Sequence, residues 1–215
     1  MTRIVDHNHP KYREKWRSYG KNRFNGAFYY SLEISKLIIP KIRTDRDWVL
    51  VNQNGCAFDH SVVFIHNNIY TKNYDWLSKY DDLVLVCGVP STCEKVSHLG
   101  RAIYLPLSVD VEYIEKFSCG KTKDVAFAGR EEKRLCYSFS ESVDILEGMP
   151  RPQLLSEIAK YRSIYAVGRT AIEAKVLGCE VLPYDPRFPD PSVWRVIDSS
   201  EAAAMLQVML DEIDG

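Results

Sequence analysis

Short apolar runs recur along this chain, and each breaks off at a polar or turn-forming segment. Trp48-Val-Leu-Val51 stops at Asn52-Gln-Asn-Gly55, Val62-Val-Phe-Ile65 at His66-Asn-Asn68, and Leu83-Val-Leu-Val86 at Cys87-Gly-Val-Pro90. Further runs follow at Ile103 to Leu107, Val125 to Ala128, Val143 to Leu146, Ile164 to Val167 and Glu180 to Pro183. Runs of this length read as buried strands. Between them lie stretches of helical period. Ala27 to Ile39 is one, ended by Pro40; Asp75 to Tyr80, a segment capped by Ser91, and Arg151 to Tyr161 behind Pro150 are others. Asp198-Ser-Ser-Glu201 is a capping sequence for a last helix running to about Glu212. Strands alternating with helices predict a parallel α/β architecture. The expected boundary lies near Pro106 to Asp110, with one domain over 1–106 and a second over 107–215.

The segment Ser163-Ile-Tyr-Ala-Val-Gly-Arg-Thr-Ala-Ile-Glu-Ala-Lys-Val-Leu-Gly-Cys-Glu-Val-Leu-Pro183 carries the most chemistry. It reads as strand, glycine turn, helix, glycine, strand. A glycine where a strand feeds a helix lets the backbone approach a ligand, and the helix start behind it favours phosphate. Arg169 and Thr170 add a charge and a hydroxyl at that turn, and Glu173 can accept hydrogen bonds from a ribose diol. This combination suits a nucleotide or nucleotide-sugar.

From Gly168 to Leu182 the segment resembles the donor-site signature of GT-B glycosyltransferases. Two upstream segments agree in family order. Ile103-Tyr-Leu-Pro-Leu-Ser-Val-Asp110 is similar to the strand by which those enzymes enter their second domain. Val125-Ala-Phe-Ala-Gly-Arg130, with Lys133 and Arg134, is similar to their first donor-domain strand and its basic turn. The resemblance covers roughly residues 100 to 215. It implies two Rossmann-like parallel-sheet halves facing across a cleft, a nucleotide-diphosphate sugar against the C-terminal half and an acceptor against the N-terminal half. Many retaining members carry a Glu-x7-Glu pair; here Tyr165 stands at the first position and Glu173 at the second.

Ligands of open parallel sheets bind beyond the carboxyl ends of the strands. Gly129, Arg130, Lys133, Arg134, Glu147, Gly168, Arg169, Thr170 and Glu173 are therefore the expected donor-binding residues, with Glu173 also expected, alongside His66, to be catalytic. On the acceptor side His66, at the end of an apolar strand, is the expected base, because imidazole titrates near neutral pH. Asp59 and His60 are the substitutes, and Asp6-His7-Asn8-His9 is a further cluster that could supply acceptor contacts or a base. No third ligand accompanies His7 and His9, so no metal is expected; nor is a cofactor beyond the donor substrate.

Bulk properties narrow the classes. With 215 residues, 46% hydrophobic, 27% charged and net charge -1, the chain fits one large or two small globular domains. No apolar run reaches membrane-spanning length and no apolar leader opens the chain, so a cytoplasmic location is the default. The six cysteines form no C-x-x-C pair and read as structural thiols. Lys11, Arg13, Lys15, Arg17, Lys21 and Arg23, interleaved with aromatics, keep nucleic acid in view as an acceptor, behind the reading as a solvated helix face. Glycosyl transfer from a nucleotide-diphosphate sugar to an acceptor hydroxyl is the leading function. A non-catalytic nucleotide-sugar-binding or scaffold protein is the alternative, and a sugar-nucleotide epimerase the third.

Overall fold

A computed structural model describes residues 2–6, 26–50, 56–65, 74–129, 142–183 and 185–215, without the side chains of 26 and 27. Over these residues the protein is α/β with two parallel sheets. These described residues divide into two units: those within Ala27–Pro106 with residues 2–6 and Ser199–Gly215, and those within Leu107–Asp198. In chain order the first sheet and its helices are β1 (Ile4–Val5), α1 (Gly26–Glu33), β2 (Asp47–Val49), β3 (Ser61–Ile65), β4 (Leu83–Cys87), α2 (Pro90–Val96) and β5 (Arg101–Tyr104). Then follow α3 (Val111–Glu115), β6 (Lys123–Ala128), β7 (Asp144–Leu146), α4 (Arg151–Ile158), β8 (Tyr161–Tyr165), α5 (Arg169–Val176), β9 (Glu180–Leu182) and α6 (Ser199–Asp214).

The first sheet is wound in sequence order, β1-β2-β3-β4-β5, with every pair parallel. Every residue of β2, β3 and β4 is buried, which is why these strands read as continuous apolar runs rather than alternating ones. Val49, Val63 and Leu85 pack on one face with Leu77 and Val96. The intervening Trp48 and Phe64 stack with ring centroids 6.3 Å apart, and Tyr30 of α1 meets Phe64 edge-on at 6.2 Å.

Helix α1 does not continue to Ile39 as its apolar spacing predicts. It widens into a π turn over Ile34–Ile38 and tightens into a 3-10 turn over Ile39–Lys41. Pro40 falls in the opening of that last turn, where its missing N–H leaves no hydrogen bond unmade.

Helix α6 departs from the expected domain assignment of 107–215. It belongs with the first unit, because its apolar stripe (Ala203, Leu206 and Leu210) is buried as the helix packs along the π turn. Polar contacts recur every seven residues, close to two helical turns, on this helix. Lys41 Nζ donates to Ser200 Oγ at 2.6 Å, Arg43 N to Gln207 Oε1 at 2.6 Å, and Arg46 Nη2 to Asp214 Oδ1 at 2.6 Å.

The second sheet has the order β7-β6-β8-β9, again all parallel. The chain therefore steps from β6 outward to β7 and returns to the other side of β6 with β8. Such a reversal opens a crevice at the carboxyl ends of the two strands on either side of it. No reversal occurs in the first sheet among the described strands. A short helix missing from the sequence reading, α3, opens this unit, with the Asp110 carboxylate accepting from Tyr113 N at 3.0 Å.

Candidate functional site at the carboxyl edge of the second sheet

Pairing fixes which loops share an edge. Ala128 lies opposite Leu146, Phe127 opposite Tyr165, and Tyr165 opposite Leu182. The residues that follow, Gly129 after β6, Glu147 after β7 and Gly168 after β8, therefore emerge at one sheet edge. Gly129 and Gly168 stand on the two sides of the strand-order reversal.

The two glycines serve different needs. A Cβ on Gly129 would lie 2.9 Å from Phe127 Cζ, so close packing excludes a side chain there. Gly168 has open space around it, but its φ of 66° and ψ of -140° suit only glycine comfortably. It turns the chain directly into α5. Gly178 ends that helix at φ 74°, with Cys179 N donating to Ala174 O and Gly178 N to Lys175 O, both at 2.9 Å. This is a Schellman cap, so the second glycine of the motif shapes the helix end and lies away from the sheet edge.

Three charged side chains converge where α4 and α5 begin. Glu173, one turn into α5, is 4% exposed, and Arg169 and Arg151 are 7% and 9% exposed. Glu173 Oε1 accepts from Arg169 Nε at 2.8 Å and from Arg151 Nε at 3.0 Å; Arg151 Nη2 is 2.9 Å away. The Arg151 guanidinium also lies over the Tyr113 ring of α3, 5.2 Å from its centroid. Each arginine is the first residue of its helix, the end where the dipole disfavours a cation. Both are held there by a carboxylate they share, and removing that carboxylate would strand buried charge. Arginine at a helix start, beside N–H groups that also point outward, is a placement suited to a phosphate oxygen.

A cleft of about 560 Å³ opens at the carboxyl ends of β8 and β9. Its walls include Ala166, Val167, Pro183, Asp185, Phe188 and Asp190. Its volume is that of a small-molecule site. The loop forming its far wall is held by Lys175, whose Nζ donates to Pro191 O at 2.6 Å and Trp194 O at 2.8 Å. Burial lowers the pKa of that lysine.

Of the residues predicted from sequence, Arg169 and Glu173 meet in the buried cluster, Thr170 is half-buried in the first turn of α5, and Gly129, Glu147 and Gly168 share the sheet edge. Arg130, Lys133, Arg134 and His66 lie outside the described residues, as do His7 and His9. Sequence reasoning missed Arg151, although a basic residue between Pro150 and Pro152 at a helix start, against the dipole, was a usable signal. It also missed the wall from Asp185 to Pro191. His60 is corrected: it precedes β3 and so lies at the amino end of its sheet, where its ring nitrogens are 2.5 Å from Asp82 Oδ2 and 2.9 Å from Asp45 Oδ1. A ring engaged on both nitrogens by carboxylates is not poised to take a substrate proton. Asp59 is nearby, accepting from Asp81 N at 2.9 Å.

The five described cysteines are free thiols, and burial pushes Cys87 and Cys179 up, away from reactivity. No helix among the described residues is long and apolar enough to cross a membrane. No protein-family model, curated protein or solved structure matches this chain.

Proposed function

We propose that this protein is a small glycosyltransferase that moves a sugar from a nucleotide-diphosphate sugar to an acceptor hydroxyl, with the donor held by the second unit in a GT-B manner. The observation that carries the proposal is the strand-order reversal between β6 and β8, with a glycine turn on each side of it and buried arginines at the starts of α4 and α5. The diphosphate sits against these helix starts, where Arg169 and Arg151, with the basic side chains of Arg130, Lys133 and Arg134, stabilise charge developing on the leaving group. Glu173 orients both arginines. The first unit serves the acceptor, with His66 as the base.

Thermal-shift screening against UDP-, GDP-, ADP- and dTDP-sugars tests the first half. A bound donor at a hundredfold excess over Kd stabilises by about 2.7 kcal/mol, and no shift with any of them would refute the proposal. NMR detection of hydrolysis or transfer tests the second. His66→Ala should lower turnover roughly 10²–10⁴-fold while leaving donor affinity unchanged. Tyr165, standing where retaining enzymes carry a glutamate, favours one rival: a nucleotide-sugar-binding module without transfer activity. Binding with no turnover in any acceptor mixture would select it.

A further inference from the structure

At the amino edge of the first sheet lies a charge relay with no part in the proposed chemistry. His60 and Asp82, each directly ahead of a strand, are the non-glycine residues with positive φ among those described, at 56° and 52°. Left-handed backbone at such residues costs on the order of 1–3 kcal/mol and persists only where its surroundings over-determine it. Here the two residues face one another. His60 Nδ1 is 2.5 Å from Asp82 Oδ2, and Nε2 is 2.9 Å from Asp45 Oδ1.

Carboxylates only accept, so both ring nitrogens must carry a hydrogen: this geometry requires the imidazolium. The other oxygen of Asp82 accepts from Arg46 Nη2 at 3.1 Å. The same Nη2 donates to Asp214 Oδ1 at 2.6 Å, and Nε donates to that oxygen at 3.0 Å. Arg46 Nη1 is tied to the Asp82 carbonyl at 3.0 Å. Asp214 closes α6, the end where the dipole disfavours an anion, so it depends on Arg46.

We propose that His60 is a proton-operated latch on the C-terminal turn of α6. Protonated, it neutralises Asp82 and leaves Arg46 to hold Asp214. A neutral ring has one N–H and must give up one of its two carboxylates. Asp82 then draws the shared Nη2 of Arg46 from Asp214, and the last turn of α6 loosens. The remaining charges around the ring do not substitute for the lost proton. Asp47, the first residue of β2, is held by Arg3 at 2.8 Å; Asp59 and Asp81 are carboxyl side chains and supply no positive charge; Arg43 engages Gln207 through its backbone. The hydrogen bonds to Asp82 and Asp45 raise the pKa of His60 above the ordinary histidine value.

Amide exchange of residues 207–215, followed by mass spectrometry from about pH 5 to about pH 9 and corrected for intrinsic rates, tests the latch. Protection should fall about two- to fivefold across the titration, the effect of losing one partly exposed ion pair. His60→Gln should show the low protection at every pH, and Asp214→Asn should abolish the step. A parent protein without a step, or a step persisting in His60→Gln, overturns the proposal. Should His60→Gln fail to fold, Asp45→Asn gives an independent reading. It should lower both the NMR midpoint of His60 and the midpoint of the exchange step together, and movement of only one of them overturns the latch.

Discussion

The two sheets keep their ion clusters at opposite ends, and the ends differ in what surrounds the charges. In the second unit Arg151, Arg169 and Glu173 are sealed at the carboxyl edge, where the strand order reverses. In the first unit Arg46 is buried at the amino edge, but its partners Asp82 and Asp214 reach water, with side chains 56% and 34% exposed. A carboxylate that can turn to solvent loses little when its partner goes. A guanidinium with no solvent to turn to loses much. The first cluster clamps the amino edge of its sheet, while the second holds buried cations at the carboxyl edge, where ligands of parallel sheets bind.

Breaking the sealed cluster should have the largest effect. Glu173→Ala leaves two buried guanidiniums without the carboxylate they share, at a cost of roughly 3–5 kcal/mol in urea denaturation. Nucleotide affinity should fall as well, by roughly 1–3 kcal/mol, since the arginines lose their orientation. A stability loss below about 1 kcal/mol, the range of an exposed pair, would mean that the cluster is open to solvent.

Gly168→Ala comes next. The space around Gly168 is open, so the penalty is conformational, on the order of 1–3 kcal/mol for a positive-φ position. Gly120→Ala, also in open space but without positive φ, is the control and should be near neutral. Equal melting temperatures for the two variants would remove the special turn from the candidate site. Arg46→Gln should cost about 1–2 kcal/mol, because both stranded carboxylates can be rehydrated. It should leave nucleotide-sugar binding unchanged, whereas Arg169→Gln should weaken it about tenfold or more, the value of a charge-assisted hydrogen bond. Calorimetry on the pair measures directly how far the two clusters differ in role.

How much of this was legible beforehand follows from the range of each interaction. Val62 to Ile65 and Leu83 to Val86 announce β3 and β4 because strands buried on both faces leave unbroken apolar runs. The Gly168 turn and the helix behind it are local and were equally readable. The end of α4 was not. Leu154, Leu155, Ile158 and Tyr161 keep a helical period straight through the turn at Ala159 and Lys160, yet Tyr161 begins β8, its hydroxyl donating to Asp144 Oδ2 at 2.6 Å. Strand β1, two residues long, and α3, five residues long, are too short to show a period. Arg151 meets Glu173 across 22 positions, and Arg46 meets Asp214 across 168. No window along the sequence spans such pairs, so the partners of both clusters stayed hidden even where single members stood out.

The smallest predicted effect is the pH dependence of stability, and its sign separates the clusters most cleanly. His60 is held above its ordinary value by Asp82 and Asp45, so its contribution is complete below its unfolded pKa of about 6.5 and is lost as pH rises through the folded value. Asp82 and Asp45 are held below the usual carboxylate range, chiefly by His60. Their contribution is present above the unfolded value of about 3.9 and is lost as pH falls through the folded one. The amino-edge cluster is therefore strongest in mildly acidic solution and weakens in both directions. Because these side chains are partly or largely exposed, the alkaline loss should stay below about 1 kcal/mol. Urea midpoints measured at about pH 6 and about pH 9 should thus differ slightly in the parent protein. His60→Gln should flatten that alkaline difference, whereas Arg169→Gln should retain it, since the carboxyl-edge cluster contains no histidine among the described residues. A parent protein more stable at the higher pH would contradict the assignment of His60 as an imidazolium bound between two carboxylates.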